Sequence, residues 1–395
     1  MMRTAMSLVL AATMAVAGAP VPAVAAGPPV RCGDTITESV TLSANLRCAG
    51  DALIVGASGV TIDLNGYAIV GDPGGRAITV AGDQTLSGVT VRDGTVRGFP
   101  GGILLQDVAT IALTGVRLVD TNLEATQFSG VSISDSALTR SGVGTSYGQG
   151  LTLTEVRMTG GYLSAISVQG VSTVNSVLVG SRIGGVEFYS FELARSRLTD
   201  TAIDVTEAGD YTIHDNVFSG AGVYGLLADG LRIENNLFRD MRVGVRLESD
   251  GRGLLVRDNR FVNTGVGVRV STFYLAQVAD LTITDNEFVR NGSAGVFIEA
   301  ADPLAGPDDE FVISGNVFRH NGYAGTEVDG DGRRIDDGLH LSVPVDSPLV
   351  VAGNQTYHNA DHGIEALPVG SVRDGGGNVS RGDPNGCAGV VCAYR

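Results

Sequence analysis

Seven apolar residues stand at an unbroken interval of twenty: Ile111, Val131, Leu151, Val171, Phe191, Tyr211 and Leu231. Helices repeat every ~3.6 residues and strands every two, so neither produces that spacing. The chain must return to the same place every twenty residues, with one short unit stacked on itself. Other columns keep the register. Two places on stand Leu113, Ile133, Leu153, Thr173, Leu193, Ile213 and Ile233; seven places on, Leu118, Leu138, Met158, Leu178, Leu198, Phe218 and Phe238. Twelve places on come Leu123, Val143, Leu163, Ile183, Ile203, Val223 and Val243. Four apolar columns per turn describe a solenoid with a continuous buried interior.

The pattern continues with looser spacing, upstream at Val60 and Val89 and downstream at Leu254, Leu281, Phe311 and Leu349. Five residues after each later start stands an asparagine: Asn216, Asn236, Asn259, Asn286, Asn316 and Asn354. An amide both donates and accepts, so stacked copies satisfy one another and the turn backbone, whereas a lone buried amide costs about 1–3 kcal/mol. The column reads as an internal ladder. Phe218, Phe238, Phe261, Phe288 and Phe318, two residues further on, read as a core stack.

The run apolar-x-apolar-x-x-Asn-x-apolar also suits a leucine-rich repeat, but that unit needs helix in its second half. Here the second halves read Val-Gly-Val-Arg-Leu or Ala-Gly-Val-Phe-Ile, which is glycine followed by strand-like alternation. Val, Ile and Phe favour strands. The chain is therefore expected to be all-β, a single-stranded parallel β-helix of about thirteen coils and ~60 Å long. Gly at 56 of 395 residues supplies the bends, and Trp is absent.

Residues 1–26 carry Arg3, an apolar stretch and Ala23-Val24-Ala25, the pattern of a secretory signal peptide. No transmembrane segment is expected. The remaining boundaries are an N-terminal cap over 27–58, the solenoid over 59–375 and a C-terminal cap over 376–395. In an exported chain the four cysteines pair as Cys32–Cys48 and Cys387–Cys392, tying the two ends. Such caps block edge-to-edge association of an open solenoid. The formal charge of −16 argues against nucleic acid as a partner, and the absence of lysine leaves Arg and His as the only basic side chains. The expected location is extracellular.

Residues 32–69, CGDTITESVTLSANLRCAGDALIVGASGVTIDLNGYAI, resemble the opening of exported bacterial right-handed parallel β-helix repeat proteins. The segment from Gly88 to Gly98, GVTVRDGTVRG, and the Asn-x-Phe rungs fit the same pectin-lyase-like superfamily. The resemblance implies a parallel β-helix with right-handed coiling and does not by itself imply one function. Members include polysaccharide lyases, glycoside hydrolases, uronate epimerases, adhesins and proteins with no known activity. The Arg-x-Pro-x-x-Arg pattern of pectate lyases and the Asp-Pro-His-Asp motif of alginate epimerases are absent, and only Asp336-Asp337-Gly338 echoes the polygalacturonase set.

Chemistry on a regular scaffold belongs in its insertions. These fall at 272–280, 300–310 and 322–337, which stacking brings near one another. The third holds Glu327, Asp329, Asp331, Arg333, Arg334, Asp336 and Asp337, and runs into His340. With Leu339 and Leu341 inward, alternation points His340 outward, and Glu365 follows it one rung on. The same outward column holds Arg246, Arg269 and Phe297. This line is expected to form an exposed track for an extended sugar chain, bound without turnover as the leading expectation.

A carbohydrate-active enzyme is the alternative. Hydrolysis needs two carboxyl groups at defined separations, from Asp336, Asp337 or Glu365. Elimination or epimerisation at a uronate needs a base, His340 or His362, and an arginine clamp, Arg333 or Arg334. No cofactor is expected, calcium at Asp329 and Asp331 being the only metal reading. His214, His320 and His358 are read as structural turn residues. Oligomeric state is not encoded legibly.

Overall fold

A computed structural model describes residues 29–394 apart from 73, 83, 249–250, 273–277, 301–309 and 346. Residues 1–26, and most of the first two insertions, lie outside the described residues. The described residues form an all-β solenoid of about 15 turns without helix, and every pairing between their strands is parallel. The twenty-residue period is literal: Leu123 pairs with Val143, Val143 with Leu163, Leu163 with Ile183, and Ile183 with Ile203. Val131, Leu151 and Val171 are likewise successive neighbours. Fifteen turns exceed the expected thirteen because pairing starts at Asp34–Ile36 and runs to Cys392–Tyr394, within the segments read as caps.

Bends are made by single left-handed residues at a fixed place in each coil. Before the ladder this place holds Asp135 (φ 51), Glu155 (φ 56), Asn175 (φ 53), Arg195 (φ 49), Asp215 (φ 57), Asn235 (φ 55), Asp258 (φ 55) and Asp285 (φ 57), then Gly315 and Gly353. Short polar side chains tolerate this region best, and glycine without cost. His320 (φ 55) and His358 (φ 52) occupy an equivalent corner with rings stacked 5.5 Å apart.

The interior follows the columns. Phe218, Phe238, Phe261, Phe288 and Phe318 stack face to face at 4.6–4.9 Å with planes within 9° of parallel. Beside them the asparagine amides form one continuous ladder. Each Oδ1 accepts from both the backbone N–H and the side-chain N–H of the preceding asparagine, from Asn216 to Asn378. Serines begin the same ladder at Ser176 and Ser196. A second ladder, Asn291–Asn321–Asn359–Asp383, stands at the next corner.

One column departs from the expected register. Val223 pairs with Val245 rather than Val243, because the pairing slips between Ser219 and Gly220 and adds residues to that coil. Both disulfides form as expected, Cys32–Cys48 and Cys387–Cys392.

Candidate functional site

The pleat places the outer column in register: Tyr224, Arg246, Arg269, Phe297, His340 and Glu365 are consecutive parallel partners. Leu339 and Leu341 point inward, as alternation requires. Outward, however, is not exposed. Phe297 and His340 are 0% exposed and Glu365 is 8% exposed. The expectation of an open track therefore fails in its distal half.

The cause is the third insertion, which folds over this face as a strap. Val328 pairs antiparallel with Arg334, and the Asp329 N–H donates to the Arg333 carbonyl, giving a small hairpin. Ile335 seats on Phe297, Val266 and Ala294 as a second, small apolar cluster. Arg269 anchors the strap from the sheet, donating to Glu327 at 2.9 Å with its guanidinium 5.0 Å above Phe297. Arg334 donates to the Gly325 carbonyl and lies 3.2 Å from Asp336.

Beneath the strap four ionisable groups meet. His340 Nδ1 is 2.7 Å from Asp337 and 3.0 Å from Glu365, and its Nε2 is 3.3 Å from Asp329. Asp329 accepts from Arg333 Nε at 2.8 Å and from the backbone N–H groups of Asp331 and Arg333. Asp337 accepts the backbone N–H of His362 at 2.8 Å. His362 Nδ1 lies 3.2 Å from Asp361 and 3.4 Å from Asp337, without a well-directed hydrogen bond.

These neighbours shift protonation. Burial disfavours a charged His340, but hydrogen bonds and charge from Asp337 and Glu365 prevail and raise it to about 10. Asp337 goes the other way: burial pushes it up, yet His340 and His362 hold it below its ordinary value. Asp336 is raised by burial and by Asp337 and Asp361 nearby. His362 is raised chiefly by Asp337, against the cost of burial.

Asp336, Asp337, His340, Glu365 and His362 are thus brought into one neighbourhood, with Arg333 and Arg334 in the strap above. The residues whose geometry could hold a cation differ from Asp329 and Asp331. Asp329 is filled by N–H donors and Asp331 is 66% exposed beside Arg333, whereas Asp337, His340 and Glu365 point their ligand atoms at one another. Arg246 and Arg269 stand apart from this cluster, in an open cleft of about 360 Å³ with Tyr224, Arg242 and Glu248. Sequence reading missed Tyr224 and Glu248. Tyr224 was recoverable, since it holds the column position just before Arg246.

In the cleft, Tyr224 donates to Glu248 at 2.7 Å, and Arg246 binds the same carboxylate with its guanidinium 5.7 Å from the Tyr224 ring. A second cleft adjoins on the earlier rungs, lined by Tyr162, Arg182, Gly184, Asp204 and Thr206. Arg182 donates to Asp204 at 2.6 Å. Room for Tyr162 comes from Gly142, where a Cβ would meet the Tyr162 ring at 2.2 Å. No helix among the described residues is long and apolar enough to cross a membrane.

The family described as right-handed β-helix region matches residues 76–272 and 164–337. The chain belongs to that family. No curated protein matches the sequence. Among solved structures, tailspike protein 3 of bacteriophage CBA120 is similar at 10% identity over 90% of this chain, with a TM-score of 0.33. This chain spans 57% of the tailspike's length. A GH136 lacto-N-biosidase from Eubacterium ramulus is 12% identical over 82% of this chain and 63% of its own, TM-score 0.40. A family 28 exopolygalacturonase from Yersinia enterocolitica is 10% identical over 90% of this chain and 71% of its own, TM-score 0.35. Such similarities carry nothing about the chemistry of this chain.

Proposed function

We propose that the protein is an exported glycan-binding module that holds a polysaccharide or glycoconjugate along the open cleft, without turnover. The observation that carries this reading is a division on one sheet face. Asp337, His340 and Glu365 are buried under the strap, while the open part of the same column presents arginine, carboxylate and tyrosine. A general base must reach its proton within hydrogen-bond distance and be unprotonated at working pH. His340 meets neither condition, being fully buried and held protonated well above neutrality.

The cleft suits sugar hydroxyls better than sugar carboxylates. Arg246, Arg269 and Arg182 are each already paired with Glu248, Glu327 and Asp204. Fixed guanidinium–carboxylate pairs offer donors and acceptors side by side, which a hydroxyl uses together. Tyr224 adds a ring edge and face for the sugar's apolar side. A neutral glycan is the favoured ligand.

The test is calorimetric titration of neutral and acidic polysaccharides into the full chain, with parallel assays for new reducing ends and unsaturated uronates. Binding of a neutral glycan, weakened about tenfold or more in Tyr224→Ala and Arg246→Ala, supports the reading. Cleavage that disappears in Asp337→Asn would replace it with the enzymatic alternative.

A further inference from the structure

We propose that Asp337, His340 and Glu365 form a binding site for one divalent transition-metal ion, best matched by zinc, that fastens the strap to the sheet. Three ligand atoms converge there from three places in the chain. Asp337 is the strap's root, His340 lies on the strand Leu339–Ser342, and Glu365 lies on the paired strand His362–Leu367 of the next coil. Their donor atoms lie within 4.8 Å of one another, with His340 Nδ1 at 2.7 Å from Asp337 Oδ2 and 3.0 Å from Glu365 Oε2. Tetrahedral ligands at about 2.0–2.2 Å from a common zinc ion sit about 3.3–3.6 Å apart, so both carboxylates must draw back from the imidazole by roughly half an ångström to admit it.

The hydrogen bonding places one nitrogen between two carboxylates at this point. One imidazole nitrogen carries at most one proton, and His340 Nδ1 directs it to Asp337. Glu365, nine-tenths buried, lies 3.0 Å from that same nitrogen and so shares one proton with Asp337. A cation between the three satisfies Asp337, His340 and Glu365 at once.

The outer partners are in place. Metal binding displaces the Nδ1 proton that Asp337 and Glu365 hold in the metal-free chain; Nε2 keeps its proton and faces Asp329 Oδ2 at 3.3 Å, and Asp329 is itself fixed by Arg333. The other oxygen of Asp337 is held by the His362 backbone N–H. Carboxylate-oriented histidine is the usual support of a metal-bound imidazole. One nitrogen and two carboxylate oxygens suit zinc, whereas calcium takes oxygen ligands only. The strap then gains a point of attachment beyond its single apolar contact at Ile335.

The experiment uses the untagged full chain, stripped with EDTA and dialysed. Zinc is titrated by calorimetry, and cobalt is added separately to read its visible d–d spectrum. One equivalent of zinc should be retained, zinc should displace the cobalt spectrum, and saturable binding should vanish in His340→Gln and Glu365→Gln. His358→Gln, which removes half of the stacked pair His320–His358, should leave binding intact. No retained metal, binding undiminished in Glu365→Gln, or loss in His358→Gln alone would overturn the site. Should His340→Gln fail to fold, the rim variant Glu365→Gln and the cobalt spectrum decide. This outcome is independent of glycan binding, because Tyr224 and Arg246 contribute nothing to the metal.

Discussion

At the scale of single residues, stacked amides carry more weight than their exposure suggests, because each serves two neighbours. Asn286 accepts from the backbone and side chain of Asn259 and donates to the carbonyls of Val256 and Thr284. Asn286→Ala strands several buried groups and should cost about 2–4 kcal/mol in chemical denaturation. Gln149→Ala, at an exposed position, should stay within about 0.5 kcal/mol. Equal losses would mean the ladder is ornamental. Tyr162 offers a second test at this scale. Burial, then the Glu124 charge and its hydrogen bond at 3.1 Å, raise its phenol to about 12. The folded state thus holds this proton more tightly than the unfolded state, whose phenol titrates at 10.0. The resulting stability is complete below that value and is lost as pH rises to about 12. The difference in tyrosinate absorbance between wild type and Tyr162→Phe should therefore appear near pH 12, and Glu124→Gln should bring it down. A midpoint at the ordinary value would contradict the burial assigned to Tyr162.

Among elements, the strap differs from the coils that support it. A coil is hydrogen-bonded above and below along its length, whereas the strap is bonded by its backbone to the coils mainly at its ends and is otherwise held by one apolar residue, Ile335, and charged contacts to Arg269 and Glu299. Ile335→Ala removes most of that apolar seat, a change worth about 2–5 kcal/mol in a packed core. Here it should open the strap locally: limited proteolysis should cut near 326–335 sooner, while the denaturation midpoint of the rod stays put. A rod that melts with its strap would refute this. The strap also marks where sequence reading stopped. Period, ladder, phenylalanine stack and disulfide pairing were legible because each repeats or has one sensible partner. Alternation correctly told which face His340 and Phe297 occupy, but pleat direction says nothing of what lies on that face. The covering hairpin is made once, from Val328, Asp329, Arg333 and Ile335, and a single occurrence leaves no column to read. The second ladder was readable in principle, since Asn291, Asn321 and Asn359 each stand five residues beyond a member of the first.

For the whole molecule, net charge and local charge pull in different directions, and magnitudes settle which ligand the rod favours. The chain carries −16, so a polyanion approaches against a long-range field. The clefts do little to reverse it: Arg182, Arg242, Arg246 and Arg269 face Asp204, Glu248 and Glu327, leaving only Arg242, 87% exposed and 3.9 Å from Glu327, loosely held. Fields from the rest of the rod fade over a Debye length of about 8–10 Å in ordinary buffers, whereas hydrogen bonds from already paired groups are barely screened. Affinity for a neutral glycan should therefore change by less than about twofold between roughly 0.05 and 0.5 M salt, with Arg242→Ala costing less than Arg246→Ala. Titration calorimetry across that range measures both. A steep fall with salt, largest for an acidic polymer and abolished in Arg242→Ala, would mean that unpaired positive charge draws the ligand, and would reverse the assignment from neutral to acidic sugar.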